Sequence, residues 1–157
     1  MLKFLYTIVL CILIVILSVK LDAKDENSKN FSPNNAYATI YNWFAMFDNQ
    51  EDIQNFLVYI NPQNIDYNFL GEELKSIEDF KTWYINFKKN IKSNTHLLQN
   101  VSVKKLNNQE YEINFIVQWD ANFYNGSYVS KQISQNIHLK IIDNKIYIIK
   151  IVAKEVV

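Results

Sequence analysis

Residues 111–153 read YEINFIVQWDANFYNGSYVSKQISQNIHLKIIDNKIYIIKIVA. Tyr111, Ile113, Phe115, Val117, Trp119, Ala121 and Phe123 are all odd-numbered, as are Val129, Ile133, Ile137, Leu139 and Ile141, and then Tyr147, Ile149, Ile151 and Ala153. An apolar period of two is the mark of a strand with one buried face. Asn125-Gly126 and Asp143-Asn144 interrupt the alternation with turn residues. The stretch therefore predicts consecutive antiparallel strands over about 110–123, 128–142 and 145–155, with a fourth before them over about 95–106, joined through Asn107-Asn108. Paired residues share a sheet face, so the odd sets meet only if each hairpin loop holds an odd number of residues. Three-residue loops with Gly126 and Asn144 in left-handed conformations satisfy this. The even face mixes Asn114, Gln118, Asp120, Gln132, Ser134, Asn136, His138 and Lys140 with Ile116, Ile142, Ile146 and Ile148. It reads either as an outer sheet face or as a homodimer surface.

Upstream the period changes to that of helices. Ser32-Pro33 is a helix start, and Ala36, Ile40, Trp43, Phe44 and Phe47 recur at three- and four-residue steps over about 34–48. A shorter helix is predicted over about 51–59, ended by Asn61-Pro62. Ile65 to Phe69 alternates as a short strand. Ser76 caps a third helix, with Glu78 and Asp79 in its first turn and Lys88, Lys89 and Lys92 at its far end, the arrangement that complements the helix dipole. Its apolar face is Ile77, Phe80, Trp83, Tyr84 and Phe87.

Further outward lies a segment of another kind. Residues 1–23 place Lys3 before a 16-residue uncharged run, Phe4 to Val19, and end in Leu21-Asp22-Ala23. That is the layout of a secretory signal peptide, and the run is shorter than the ~20 residues of a full membrane span. Two readings stand: a cleaved signal with an exported, periplasmic or extracellular product, or an uncleaved anchor attaching the chain to a membrane through residues 4–19. Residues 24–32 read as a polar tether and residues 33–157 as the domain.

Composition removes several functions. The 157 residues contain two isolated glycines, Gly71 and Gly126, which excludes a glycine-rich phosphate loop. The single cysteine, Cys11, allows neither an intramolecular disulfide nor a multi-cysteine zinc site. Sixteen lysines balance sixteen acidic residues and no arginine occurs, so there is no basic excess for a nucleic-acid backbone. His96 and His138 have no spacing that suits a metal, and neither a metal nor another cofactor is expected.

The order helix, helix, short strand, helix, four long strands resembles the nuclear transport factor 2-like superfamily, and within it the SnoaL-like branch. The resemblance is carried by Tyr41, Trp43 and Phe44 on the first helix and by Ser76-Ile77-Glu78-Asp79-Phe80 through Trp83-Tyr84. To these it adds His96-x3-Asn100-x2-Val103, and Val117-x-Trp119-x-Ala121 with Asn125-Gly126 at the turn. It spans roughly residues 34–155. It implies an α+β fold in which three helices pack in a strongly bent antiparallel sheet that wraps the first helix into a cone with an internal pocket. Core and pocket overlap in such a cone, so Tyr41, Trp43, Phe47, Trp83, Phe115 and Trp119 are expected to line an apolar site for a hydrophobic small molecule.

The resemblance also supplies candidate chemistry. Family members often carry a pocket histidine where His96 stands, and a neutral imidazole suits a general base. Parity alone turns His96 away from Val101 and Val103; a bulge near Asn100 would bring it inward. SnoaL-like cyclases use a pocket carboxylate, which Asp120 offers beside Trp119, although Asp120 has the parity of the polar face. Isomerases of this fold pair an aspartate with a tyrosine, for which Asp48 or Asp66 with Tyr37 or Tyr41 are available. Three functions fit: a non-catalytic module that binds a ligand or partner, a small isomerase, cyclase or dehydratase using His96 or a pocket aspartate, and an accessory domain of an envelope complex.

Overall fold

A computed structural model describes residues 31–156. The export-segment and anchor readings of residues 1–23, and most of the 24–32 tether, lie outside them. Among the described residues three helices, α1 (Pro33–Asp48), α2 (Ile53–Leu57) and α3 (Ile77–Asn90), accompany six strands: β1 (Asp66–Phe69), β2 (Glu72–Leu74), β3 (Ile91–Lys105), β4 (Glu110–Phe123), β5 (Tyr128–Ile142) and β6 (Lys145–Glu155). One sheet runs in the order β2-β1-β6-β5-β4-β3. It is mixed rather than purely antiparallel, because β1 pairs parallel with β6, Tyr67 opposite Ile151. The chain reaches that seat by crossing over from the helices, a route that hairpin reasoning on the last four strands does not reveal.

The register keeps odd with odd between β4 and β5, where Ile113 faces Ile137 and Val117 faces Ile133. The β5–β6 turn departs from the expected three-residue loop. Ile142 pairs with Lys145 across two residues, and Asp143 and Asn144 have φ of 49° and 58°, as a hairpin turn with two left-handed centres requires. The face is rescued by a bulge: pairing runs Leu139 with Ile148, then His138 with Lys150. Ile148 is therefore buried while Tyr147 and Ile149 are only partly covered, and Ile151 and Ala153 return to the inner face.

β3 carries the bulge that His96 needs to turn inward. Pairing jumps from Gln99–Ile116 to Ser102–Asn114, and Asn100 sits at φ 54°. Before the bulge, Asn94, His96 and Leu98 oppose Ala121, Trp119 and Val117; after it, Val103 opposes Ile113. The inner face thus switches from even to odd at this point.

The core fills the space between the helices and the sheet. Trp43 is fully buried, with the rings of Phe47, Phe56 and Phe80 at 5.5, 5.2 and 5.7 Å. Buried tyrosines tie elements together through their hydroxyls, Tyr67 donating to the Ile148 carbonyl and Tyr84 to the Glu51 carbonyl, each at 2.7 Å. Burial pushes the Tyr84 phenol up to about 12 and raises Tyr67 further still, so both remain neutral donors. Ser76 caps α3 by accepting the Asp79 N–H. Among the described residues no helix is long and apolar enough to cross a membrane.

Candidate active site

α1 ends at Asp48, and its last two turns carry Phe44 and Phe47 on one side. Those two rings form one wall of a cavity of about 110 Å³. α3 contributes Trp83 and Phe87, and the β1–β2 turn contributes Phe69 and Leu70. The sheet closes the other side with His96 from β3, Trp119 from β4, Ile133 and Gln135 from β5 and Ala153 from β6. A wider groove of about 780 Å³ shares Phe69, Leu70, Trp83, Phe87 and Trp119 with it. Phe69 stacks on Trp83 at 4.5 Å and 15°, which fixes the turn against α3.

His96 is the polar centre of this space. Its Nδ1 lies 2.6 Å from Asp48 Oδ1, its backbone N–H donates to Asp48 Oδ2 at 3.2 Å, and its side chain is 11% exposed. Asn94, two residues earlier on the same face, donates its amide to Asp48 Oδ1 at 3.1 Å. A carboxylate only accepts, so in the neutral ring Nδ1 carries the proton and Nε2 the lone pair. The Asn94 amide nitrogen also approaches His96 Nδ1 at 3.3 Å, but two donors make no bond there. Asp48 sits at the C-terminal end of α1, where the helix dipole repels a carboxylate; the three donors from β3 offset that repulsion. His96 Nε2 makes no hydrogen bond among the described residues. The Phe44 ring stands 5.0 Å from the imidazole, and Trp119 lies near-parallel to it at 6.4 Å and 23°.

Several candidates read from the sequence fall elsewhere. Of the expected lining residues, Phe47, Trp83 and Trp119 reach the cavity. Trp43, one turn before Phe47 on the same face of α1, packs against Phe47, Phe56 and Phe80 and fills the core instead. Phe115 is buried against Phe44 at 5.6 Å without lining the space, and Tyr41 is 51% exposed on the outer side of α1. Asp120 is on the outer sheet face, accepting from the Tyr128 hydroxyl at 2.8 Å. The Ser130 and Tyr128 hydroxyls hold its carboxyl below the usual range. Asp66 pairs with Lys75 and Lys150, and Tyr37 reaches only toward the Val101 carbonyl at 3.5 Å. His138 pairs with Glu112 at 3.2 Å. Among the described residues no three His, Cys, Asp or Glu side chains gather as a metal site.

Two site features escaped the sequence reading. Asp48 was a candidate carboxylate but not a partner for His96, since 48 residues separate them and nothing local links them. Gln135 had a readable signal: it is a polar odd-numbered residue between Ile133 and Ile137, and so belongs to the inner face. The structure buries it to 6% exposure.

No family model and no curated protein matches this chain. Solved structures do. A Novosphingobium aromaticivorans protein assigned as an aromatic ring hydroxylase superposes with a TM-score of 0.72 at 11% identity, covering 78% of this chain and 87% of its own. A second protein from that organism, assigned as a scytalone dehydratase, gives 0.71 at 6%, covering 78% and 82%. A nuclear transport factor 2-like superfamily protein from Salmonella enterica gives 0.72 at 10%, covering 79% and 90%. The chain has the nuclear transport factor 2-like fold.

Proposed function

We propose that this chain is a small SnoaL-like enzyme in which His96 acts as general base on a hydrophobic molecule, as in an isomerase, cyclase or dehydratase. The observation that carries the reading is the 2.6 Å contact of His96 Nδ1 with Asp48 on an apolar cavity, with Nε2 unpaired among the described residues. Asp48 holds the tautomer and balances the charge that develops when Nε2 takes a proton. Phe44 and Trp119 fix the ring plane, and the apolar walls limit competing water. The likeness to structures assigned as a dehydratase and a hydroxylase supports enzymatic use of such a cavity.

A generic substrate tests the base. In 5-nitrobenzisoxazole, removal of the C3 proton breaks the N–O bond and releases a cyanophenolate that absorbs visible light. The proton goes to Nε2 and the electron pair of the C–H bond forms the nitrile. The wild type is expected to accelerate this elimination, and His96→Ala to lose roughly 10²–10⁴-fold, the usual worth of a positioned base. Asp48→Asn is expected to lose less, about 10–100-fold, because the base remains while its tautomer and charge partner are lost. Equal rates for wild type and His96→Ala would overturn the reading and leave the cavity to a binding module.

A further inference from the structure

We propose that Gln135 sets the ligand specificity of the cavity by selecting a ring of about one six-membered cycle that carries a hydroxyl group. The proposal rests on the cavity being the substrate site, and it extends that reading from the base to the molecule the base acts on. Gln135 is 6% exposed and lines the cavity, yet its Oε1 is buried with no hydrogen-bond partner among the described residues. A buried amide oxygen without a partner is costly, and native proteins keep few of them. Its neighbours on the inner face of β5 are Ile133 and Ile137, and it faces Ala153 of β6 and Phe115 of β4, none of which offers a polar side chain.

Trp119 Nε1 is a second buried group without a partner among the described residues, on the adjoining strand and on a side chain that also lines the cavity. Two side chains that line the cavity thus carry an orphan acceptor and an orphan donor, both closed off as they stand, and rotation of the Gln135 amide about its terminal bond presents it to a ligand. A hydroxyl both donates and accepts, so it satisfies either orientation of the Gln135 amide. Among the described residues the lining is apolar and aromatic apart from His96 and Gln135, which suits a neutral ligand. The volume of about 110 Å³ is below the ~150 Å³ of an apolar cavity that holds benzene, so one ring fits with its outer edge, and any further part of the molecule, in the adjoining groove. A site built to hydrogen-bond a hydroxyl discriminates strongly against the analogue that lacks it, because its own polar groups are then left unpaired.

Phenol and toluene are the probes, one ring with the hydroxyl and one without. Their affinities are measured by NMR titration of the full chain and of Gln135→Leu, which keeps the bulk and removes the amide. The ratio of phenol to toluene affinity is expected to fall at least tenfold from wild type to variant, with toluene binding kept or improved. Comparing ratios between the two proteins removes the different hydration of the probes, and a purely structural role for Gln135 would move both affinities together. The Trp119 indole N–H resonance is expected to shift with phenol and to move less with toluene. An unchanged ratio, or no binding of either probe to the wild type, overturns the proposal. A changed ratio alongside an inactive wild type in the elimination assay would instead remove the general-base reading and leave this one standing.

Discussion

At the scale of single residues, the site depends on where one proton sits. His96 can serve as a base toward the cavity only if Nδ1 holds the proton in the neutral ring, and the Asp48 carboxylate at 2.6 Å enforces that form. Asn94 adds rigidity by donating to the same carboxylate oxygen, so its own amide orientation is fixed as well. Correlation spectra of ¹⁵N-labelled protein report the tautomer directly. The wild-type neutral ring is expected as the Nδ1–H form, and Asp48→Asn is expected to lose that preference because an amide can donate as well as accept. A dominant Nε2–H form in the wild type would leave no lone pair facing the cavity. The resemblance placed His96 in the sequence, but its partner was not legible there. A hydrogen bond between a helix end and a strand start depends on how α1 lies across the sheet, and neither local pattern encodes that.

At the scale of elements, the site is positioned by irregularities. The bulge at Asn100 re-aims the first half of β3, and Asn is among the few residues that tolerate its left-handed backbone. Alternation along β4 and β5 could be read directly, because each strand is regular over its length. In β3 and β6 it could not, because each changes face partway, at Asn100 and near Ile149. The parallel seat of β1 on β6 was hidden for a different reason: four residues of β1 carry too little pattern to specify a neighbour. An ion-pair group helps hold that seat. Asp66 lies opposite Lys150 in the register and also meets Lys75 beyond β2. The Lys75 ammonium, with Lys150, holds the Asp66 carboxyl below its ordinary value. A carboxyl whose folded pKa is depressed stabilises the fold above its unfolded pKa, and the benefit is lost as pH falls through the folded value. Asp66→Asn is thus expected to lower the urea midpoint modestly at pH 7, and the gap to wild type is expected to close below about pH 4. A gap that stays constant from pH 7 to pH 3 would mean that the pairs contribute nothing through charge.

At the scale of the molecule, α1 borders two kinds of interior. Trp43 packs against α2, α3 and β1 in a filled core; Phe47 lies between, touching Trp43 and Phe56 while it lines the cavity with Phe44. The sequence marks both as aromatic and so does not separate them, which is why Trp43 and Trp119 stand together among the expected lining residues. The distinction is one of packing density, and it appears in what each ring touches. Trp43 is fully buried, with five aromatic rings within 6.5 Å. Trp119 is only partly buried and borders open space on the cavity and groove sides. Truncating a side chain in a filled core costs the lost transfer energy plus the new void, whereas truncation beside an existing cavity enlarges space already present. Trp43→Ala is expected to lose about 3–5 kcal/mol in denaturant melts. Trp119→Ala is expected to lose about 2 kcal/mol or less while removing most of the activity toward 5-nitrobenzisoxazole, since its indole fixes the His96 ring plane. Similar stability losses in the two variants would show that Trp43 and Trp119 are packed alike, and the cavity would then have no standing as a binding site.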